Sequence, residues 1–246
     1  MENKVMPHPA SHSFPTEIIT LPSKGLLYPA GSELAKGTIE MRYMTAKHED
    51  ILTNESYISS GVVIDKLIEA LVVSPVDLDD LLLGDKNAIL VASRVLGYGK
   101  DYQFTFSGEE VEVDLATLTD KELDASLITD GKNEFLFESG ATKISFKLLN
   151  QKDENAISEE IEGLKKIYGD NVSESVIRLK RQILAVNGHN DAAYISDYVE
   201  NHMLARDARA FRSYVNKVSP DVNLVFDFQG KEYPMPIQLN FFYPEA

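Results

Sequence analysis

Two stretches far apart in the chain share one pattern, Phe104-Thr-Phe106-Ser-Gly108-Glu-Glu110 and Phe226-Asp-Phe228-Gln-Gly230-Lys-Glu232. Alternating aromatics that run into a Gly-containing turn read as a β-hairpin with one apolar face. An apolar face must be covered. The pattern therefore predicts either two equivalent hairpins that meet, or two ordinary Gly-turn hairpins that only look alike. The first extends from Tyr102 to Leu115, with Val111 and Val113 continuing the alternation. Another hairpin is predicted around Ser139-Gly140, from residues 135–137 and 144–148. The last has residues 224–228 turning at Gln229-Gly230, with 233–242 extended.

Elsewhere the period is helical. Thr45 caps a short predicted helix ending near Thr53, with Glu49 in its acidic first turn. Ile64, Leu67, Ile68 and Leu71 form one apolar stripe. Ser74-Pro75 is expected to end that helix and start the next. Residues 85–96 carry Ile89, Val91, Ala92, Val95 and Leu96 around much of the circumference, which predicts a buried helix stopped by Gly97 and Gly99. Further helices are predicted over 155–168, 173–186, 191–203 and 206–217. With 246 residues and 43% hydrophobic content the chain can build a real core. The expected fold class is α+β: a helical N-terminal part with β-hairpins, a helical insertion, and a C-terminal hairpin returning to the first β-unit. The expected divisions are a flexible arm over 1–20, where Pro7, Pro9 and Pro15 sit among polar residues, an α+β body over 21–150, a helical lobe over 151–218, and a hairpin over 219–246 packing on the body.

Charge narrows the function classes. Lys and Arg number 24 against 39 Asp and Glu, a formal charge of −15 that repels a phosphate backbone or an anionic membrane, so nucleic acid is not an expected partner. The excess is uneven, because residues 151–218 hold 10 basic and 11 acidic side chains. No cysteine is present, which removes disulfides, thiolate nucleophiles and Cys-based zinc sites. There is no signal-type apolar region, and no run approaches the roughly 20 apolar residues of a membrane span, so a soluble protein of a reducing cytoplasm is expected. P-loop, dinucleotide-binding and Gly-X-Ser-X-Gly patterns are missing. His189, Asp191, Asp197 and His202 could be assembled into a metal site. Helical spacing instead puts His202 on a stripe with Ile195 and Val199, so a packed histidine is expected, with no metal, no cofactor, no catalytic residue and no enzyme activity.

Three segments near the start, Ile19-Thr-Leu-Pro-Ser-Lys-Gly-Leu-Leu-Tyr-Pro29, Met44-Thr-Ala-Lys-His-Glu-Asp-Ile-Leu52 and Leu81-Leu-Leu-Gly-Asp-Lys-Asn-Ala-Ile-Leu90, stand out together with Leu239-Asn-Phe-Phe-Tyr-Pro244. They resemble the baseplate hub assembly proteins of T4-like contractile-tailed bacteriophages, over about residues 19–115 and 206–244. The resemblance implies a non-enzymatic assembly factor, a chaperone for the central hub of the tail baseplate. Its partners would be phage hub or tail proteins, and its setting the host cytoplasm during assembly. The other reading is a structural hub subunit retained in the virion. The resemblance also implies Cys-rich, zinc-ribbon-like knuckles at the tips of the two equivalent hairpins, near Gly108 and Gly230. This chain departs from that pattern, so if the tips meet they must do so through aromatic faces and strand pairing.

Candidate partner contacts lie in three places. Leu21, Pro22, Lys24, Leu27, Tyr28 and Pro29 form a Pro-rigidified stretch that either anchors a partner or ties the chain onto its own domain. Phe241, Phe242 and Tyr243 pose the same alternatives at the other end, with self-packing favoured for the two phenylalanines. Arg206, Arg209 and Arg212 recur every three residues as a basic ridge, which either grips an acidic partner or is a solvated face paired with acids such as Asp207. Phe211, Val215 and Val218 are assigned to the core.

Overall fold

The computed structural model describes residues 15–128, 131–237 and 239–242, with backbone alone at 239 and 240. Strand β1 (Thr16–Thr20) pairs antiparallel with β2 (Thr38–Arg42). The end of the expected arm is therefore a strand, because Ile19 packs on the core; residues 1–14 lie outside the described residues. Three short helices follow, α1 (Ala46–Leu52), α2 (Glu55–Ser59) and α3 (Val63–Leu71). Thr45 caps α1 in a reciprocal box with His48. Helix α2 was not foreseen because it buries no side chain; Asn54 holds it by accepting from the Ser56 and Tyr57 amides. No helix starts at Pro75. There the chain instead follows β2, with Val73 N–H donating to Glu40 O at 2.8 Å, until Asp77 caps one 3-10 turn at Leu78–Asp80.

Helix α4 (Leu83–Tyr98) then passes through the core with no residue exposed on any side, as its circumferential pattern predicts. It runs through Gly97 and ends at Gly99. Arg94, itself buried, ties this end to the next strand, donating to Gly99 O at 3.0 Å and Asp101 O at 3.1 Å.

The first hairpin, β3 (Asp101–Phe106) with β4 (Glu109–Asp114), closes on Ser107-Gly108. Strands β5 (Phe135–Ser139) and β6 (Thr142–Phe146) form the second. Helices α5 (Gln151–Tyr168) and α6 (Glu174–Gln182) follow. The helix expected over 173–186 is cut at Gln182, since Ile183-Leu-Ala-Val186 is strand β7 (Ile183–Val186) against β6. A short apolar run fits a buried strand or a buried helix equally well by periodicity.

After α7 (Ala192–Asp197), α8 (Ala205–Val218) lays Phe211 against Phe137 and Phe146, with ring centroids at 5.5 and 5.0 Å. Residues 151–218 are thus not a separate lobe: they supply a strand to the sheet and helices to the main core. Only α5 and the start of α6 build a small cluster of their own, from Leu149, Ile157, Ile161 and Ile177.

Strands β8 (Val225–Phe228) and β9 (Lys231–Pro234) form the last hairpin, turning at Gln229-Gly230. In this hairpin and the first, both turn residues have positive φ, the twist that two-residue hairpin loops need. The two hairpins meet face to face. Phe104 and Phe106 stand edge-on to Phe226 at 4.9 and 5.0 Å, and Phe106 also touches Phe228 and Tyr233. They remain separate two-stranded sheets, so rings and not strand pairing join them. Ser, Gly and Gln at the tips offer nothing that fits a zinc ribbon. Past β9 the chain is not extended throughout. It makes one helical turn, α9 (Leu239–Phe242), that buries Phe241 and Phe242 against Tyr102 and each other.

One buried junction fixes the N-terminal third. Asp85, at the start of α4, accepts from Ser23 N–H at 2.9 Å, Ser23 Oγ at 2.6 Å and Tyr28 Oη at 2.6 Å, and Tyr28 Oη in turn accepts from Leu82 N–H at 3.0 Å. Glycine is required on both sides. A Cβ on Gly25, at φ 76°, would stand 2.4 Å from Ala35 O, and one on Gly84 would stand 1.7 Å from Pro220 O. Tyr28→Phe removes one donor to Asp85 and the acceptor of Leu82 N–H, so urea unfolding is expected to show a loss of about 1–3 kcal/mol. An unchanged midpoint would mean that the junction does not hold the fold.

Candidate partner-binding surfaces

The stretch from Leu21 to Pro29 is split by burial. Leu21, Pro22, Leu27 and Tyr28 are inside. As partner anchors they are corrected to ties of the chain onto its own core, and an Asp at Leu27 or Tyr28 would bury an unpaired charge. Lys24, Leu26 and Pro29 point outward, Leu26 with 41% of its surface exposed. These three make a small knuckle on a rigid base, because Ser23 and Tyr28 beneath it are held by Asp85.

The junction itself is closed to solvent, with Ser23 and Asp85 both fully buried. Burial pushes the Asp85 carboxyl above its ordinary value, while the hydrogen bonds from Ser23 and Tyr28 pull it back. Burial, and then the charge of Asp85, raise the Tyr28 hydroxyl, so it stays protonated and donates. The arrangement joins chain segments and presents no face to a substrate.

On α8 the apolar residues Ala208, Phe211, Val215 and Val218 face the core and leave Arg206, Arg209 and Arg212 exposed. Arg206 Nε lies 3.7 Å from Asp207, a side chain 82% exposed in a weak surface pair. Arg209 and Arg212 make no ion pair among the described residues, so the ridge is not a face neutralised by neighbouring acids. Phe241 and Phe242 are buried against their own core and are corrected as partner contacts. Tyr243 lies outside the described residues.

His202 departs from its expected place. Past Asp197 the helix widens into a π-turn, Tyr198–His202, which moves His202 off the apolar stripe to the surface, where its Nε2 sits 3.1 Å from Asp197 Oδ2. Among the described residues no group of three or more His, Asp or Glu side chains could hold a metal ion, and no helix is long and apolar enough to cross a membrane.

Sequence reading gave no sign of a cleft of about 590 Å³ between α3, the Leu78–Asp80 turn and α5. Asp79, Glu159 and Glu162 line it without an ion pair among the described residues. The lining residues come from α3, the Leu78–Asp80 turn, α4 and α5, which only packing brings together. Comparisons of the chain with protein-family models, curated proteins and solved structures return no match.

The folded state holds the Asp85 proton more tightly than the unfolded chain. Its titration therefore favours the fold below the unfolded carboxyl value and works against it as pH rises through the folded-state value. The stability deficit of Asp85→Asn relative to the unaltered chain is expected to shrink as pH rises from the ordinary carboxylate value, about 4, through the raised folded-state value. Urea midpoints across that range measure it, and a deficit that stays flat or grows contradicts a raised carboxyl.

Proposed function

We propose that this chain is a non-enzymatic assembly factor for the central hub of a contractile bacteriophage tail baseplate, acting in the host cytoplasm. It engages a hub or tail protein through the knuckle formed by Lys24, Leu26 and Pro29. The observation that carries this reading is that the segments bearing the resemblance share one packed region. Ser23 and Tyr28 of the first bind Asp85 of the third. Met44 of the second packs against α4 at Gly97, and Glu49 accepts from Tyr98 Oη at 2.8 Å. Stretches that meet through specific side chains form one structural unit, which supports treating their joint resemblance as more than three coincidences.

An assembly factor masks an interface until the proper neighbour displaces it, which calls for affinity without permanence. A knuckle held by a buried junction loses little freedom on binding, so a small contact is enough. The charge of −15 sets the encounter rate with a basic surface, and the apolar contact sets residence time.

Quantitative mass spectrometry of purified phage particles against late-infection lysate tests the reading. The protein is expected to be abundant in lysate and missing from particles. Retention at a fixed ratio to tail proteins would replace the assembly factor by a structural hub subunit. Leu26→Asp, at an exposed position, is expected to leave unfolding within about 0.5 kcal/mol while weakening co-purification with co-expressed hub proteins. Undiminished co-purification would remove the knuckle as the contact.

A further inference from the structure

Two charged surfaces keep side chains that pair with nothing among the described residues, and they complement each other. On α8, Arg209 and Arg212 have no carboxylate among the described residues. Arg206 has only Asp207, which also accepts from Ser139 Oγ at 3.0 Å. The cleft between α3 and α5 has the opposite excess. Its lysines are taken, Lys86 by Asp65 and Lys66 by Glu69, and its Glu154 is taken by Arg178. Asp79, Glu159 and Glu162 remain without a cation among the described residues.

The spacing matches as well as the sign. Glu159 and Glu162 stand three residues apart on the exposed face of α5, and Arg209 and Arg212 stand three residues apart on α8. Each pair rises about 4.5 Å along its helix. Two such helices laid together bring carboxylate to guanidinium twice in succession. The arginines stand exposed on α8, and the carboxylates line a cleft of about 590 Å³.

We propose that the α8 ridge of one copy of this chain seats in the α3–α5 cleft of a second copy. The two halves of the contact differ, so each bound pair keeps one ridge and one cleft open. Association therefore runs head to tail, and it closes into a ring or extends into a filament according to the rotation between copies. A second copy is the occupant because this one chain supplies both the uncompensated guanidiniums and the uncompensated carboxylates. The inference is independent of any hub protein, and its failure would leave the proposed function untouched.

Sedimentation of the full chain over a concentration series, at low and high salt, tests it. The unaltered protein is expected to grow in mass with concentration at low salt and to fall toward the monomer at high salt, as exposed ion pairs are screened. Arg209→Ala with Arg212→Ala, and separately Glu159→Gln with Glu162→Gln, should each weaken association by about tenfold or more and keep the circular dichroism of the parent. The two variants mixed should stop at a one-to-one pair, since only one intact ridge and one intact cleft can meet. A monomer under every condition, association that either variant leaves unchanged, or a mixture that fails to pair would each overturn the proposal.

Discussion

The rest of this structure depends on a carboxylate that is closed to solvent and has no cation beside it among the described residues. Asp85 is satisfied by the Ser23 amide, the Ser23 hydroxyl and the Tyr28 hydroxyl, and by no basic side chain among the described residues. Four parts of the chain meet around it. Residues 21–28 wrap it, and the 81–87 stretch carries it. Leu81 O accepts from Gln151 N–H and Leu83 N–H donates to Leu149 O, and Asp221 accepts from Asn87 at 2.9 Å. Pro220 lies so near Gly84 that no side chain fits between them. The returning C-terminal part is held further by a second set of bonds, in which the Asp221 and Thr119 carbonyls accept from the Lys121 and Asn223 amides. An apolar side chain of equal volume would fill the space but leave an amide and two hydroxyls unpaired, and buried unpaired donors cost more than the carboxylate does.

The junction also decides which side of the 21–29 stretch faces water. In composition, a Pro-rigidified run with Leu and Tyr suits an external anchor and an internal tie equally well. What separates them is a residue 62 positions along the chain from Ser23. Once Ser23 and Tyr28 turn in toward Asp85, Leu21 and Leu27 go with them, and Lys24, Leu26 and Pro29 are left outside. The anchor and the tie are therefore two faces of one loop, and only the exposed face can take part in recognition.

What could be read from sequence was local. The hairpins at Ser107-Gly108 and Gln229-Gly230 carry their turn chemistry and their alternating aromatics within a few residues, and α4 announces its burial by its circumference. The α+β class follows from these. What could not be read depended on phase or on distance. The π-turn after Asp197 adds a residue to one turn of helix, and a stripe counted at the α-helical period then puts His202 on the wrong face. Ile183-Leu-Ala-Val186 fits two periods, and only the free edge of β6 makes it a strand. The cleft is assembled from α3, the Leu78–Asp80 turn, α4 and α5 brought together by packing, so no window of sequence contains it.

Charge inside the molecule and charge on its surface are arranged by different rules. Asp85 and Arg94 are buried, and each is surrounded by hydroxyls or backbone groups that join neighbouring chain segments. A buried ion held this way has its geometry fixed and its charge screened from solvent, so it shapes the fold but steers nothing at a distance. The opposite holds for Arg209, Arg212, Glu159 and Glu162, which are exposed, contribute little to stability and keep their fields in the water around the protein. In a chain with so large an acidic excess, Arg209 and Arg212, which pair with no carboxylate among the described residues, owe that isolation to the packing of α8. Phe211 between Phe137 and Phe146 sets the rotation of that helix, and that rotation leaves Arg209 and Arg212 on the exposed side. The orientation of the ridge is thus a consequence of the core, and its availability to a partner is built in by the aromatic packing that holds α8 against the sheet.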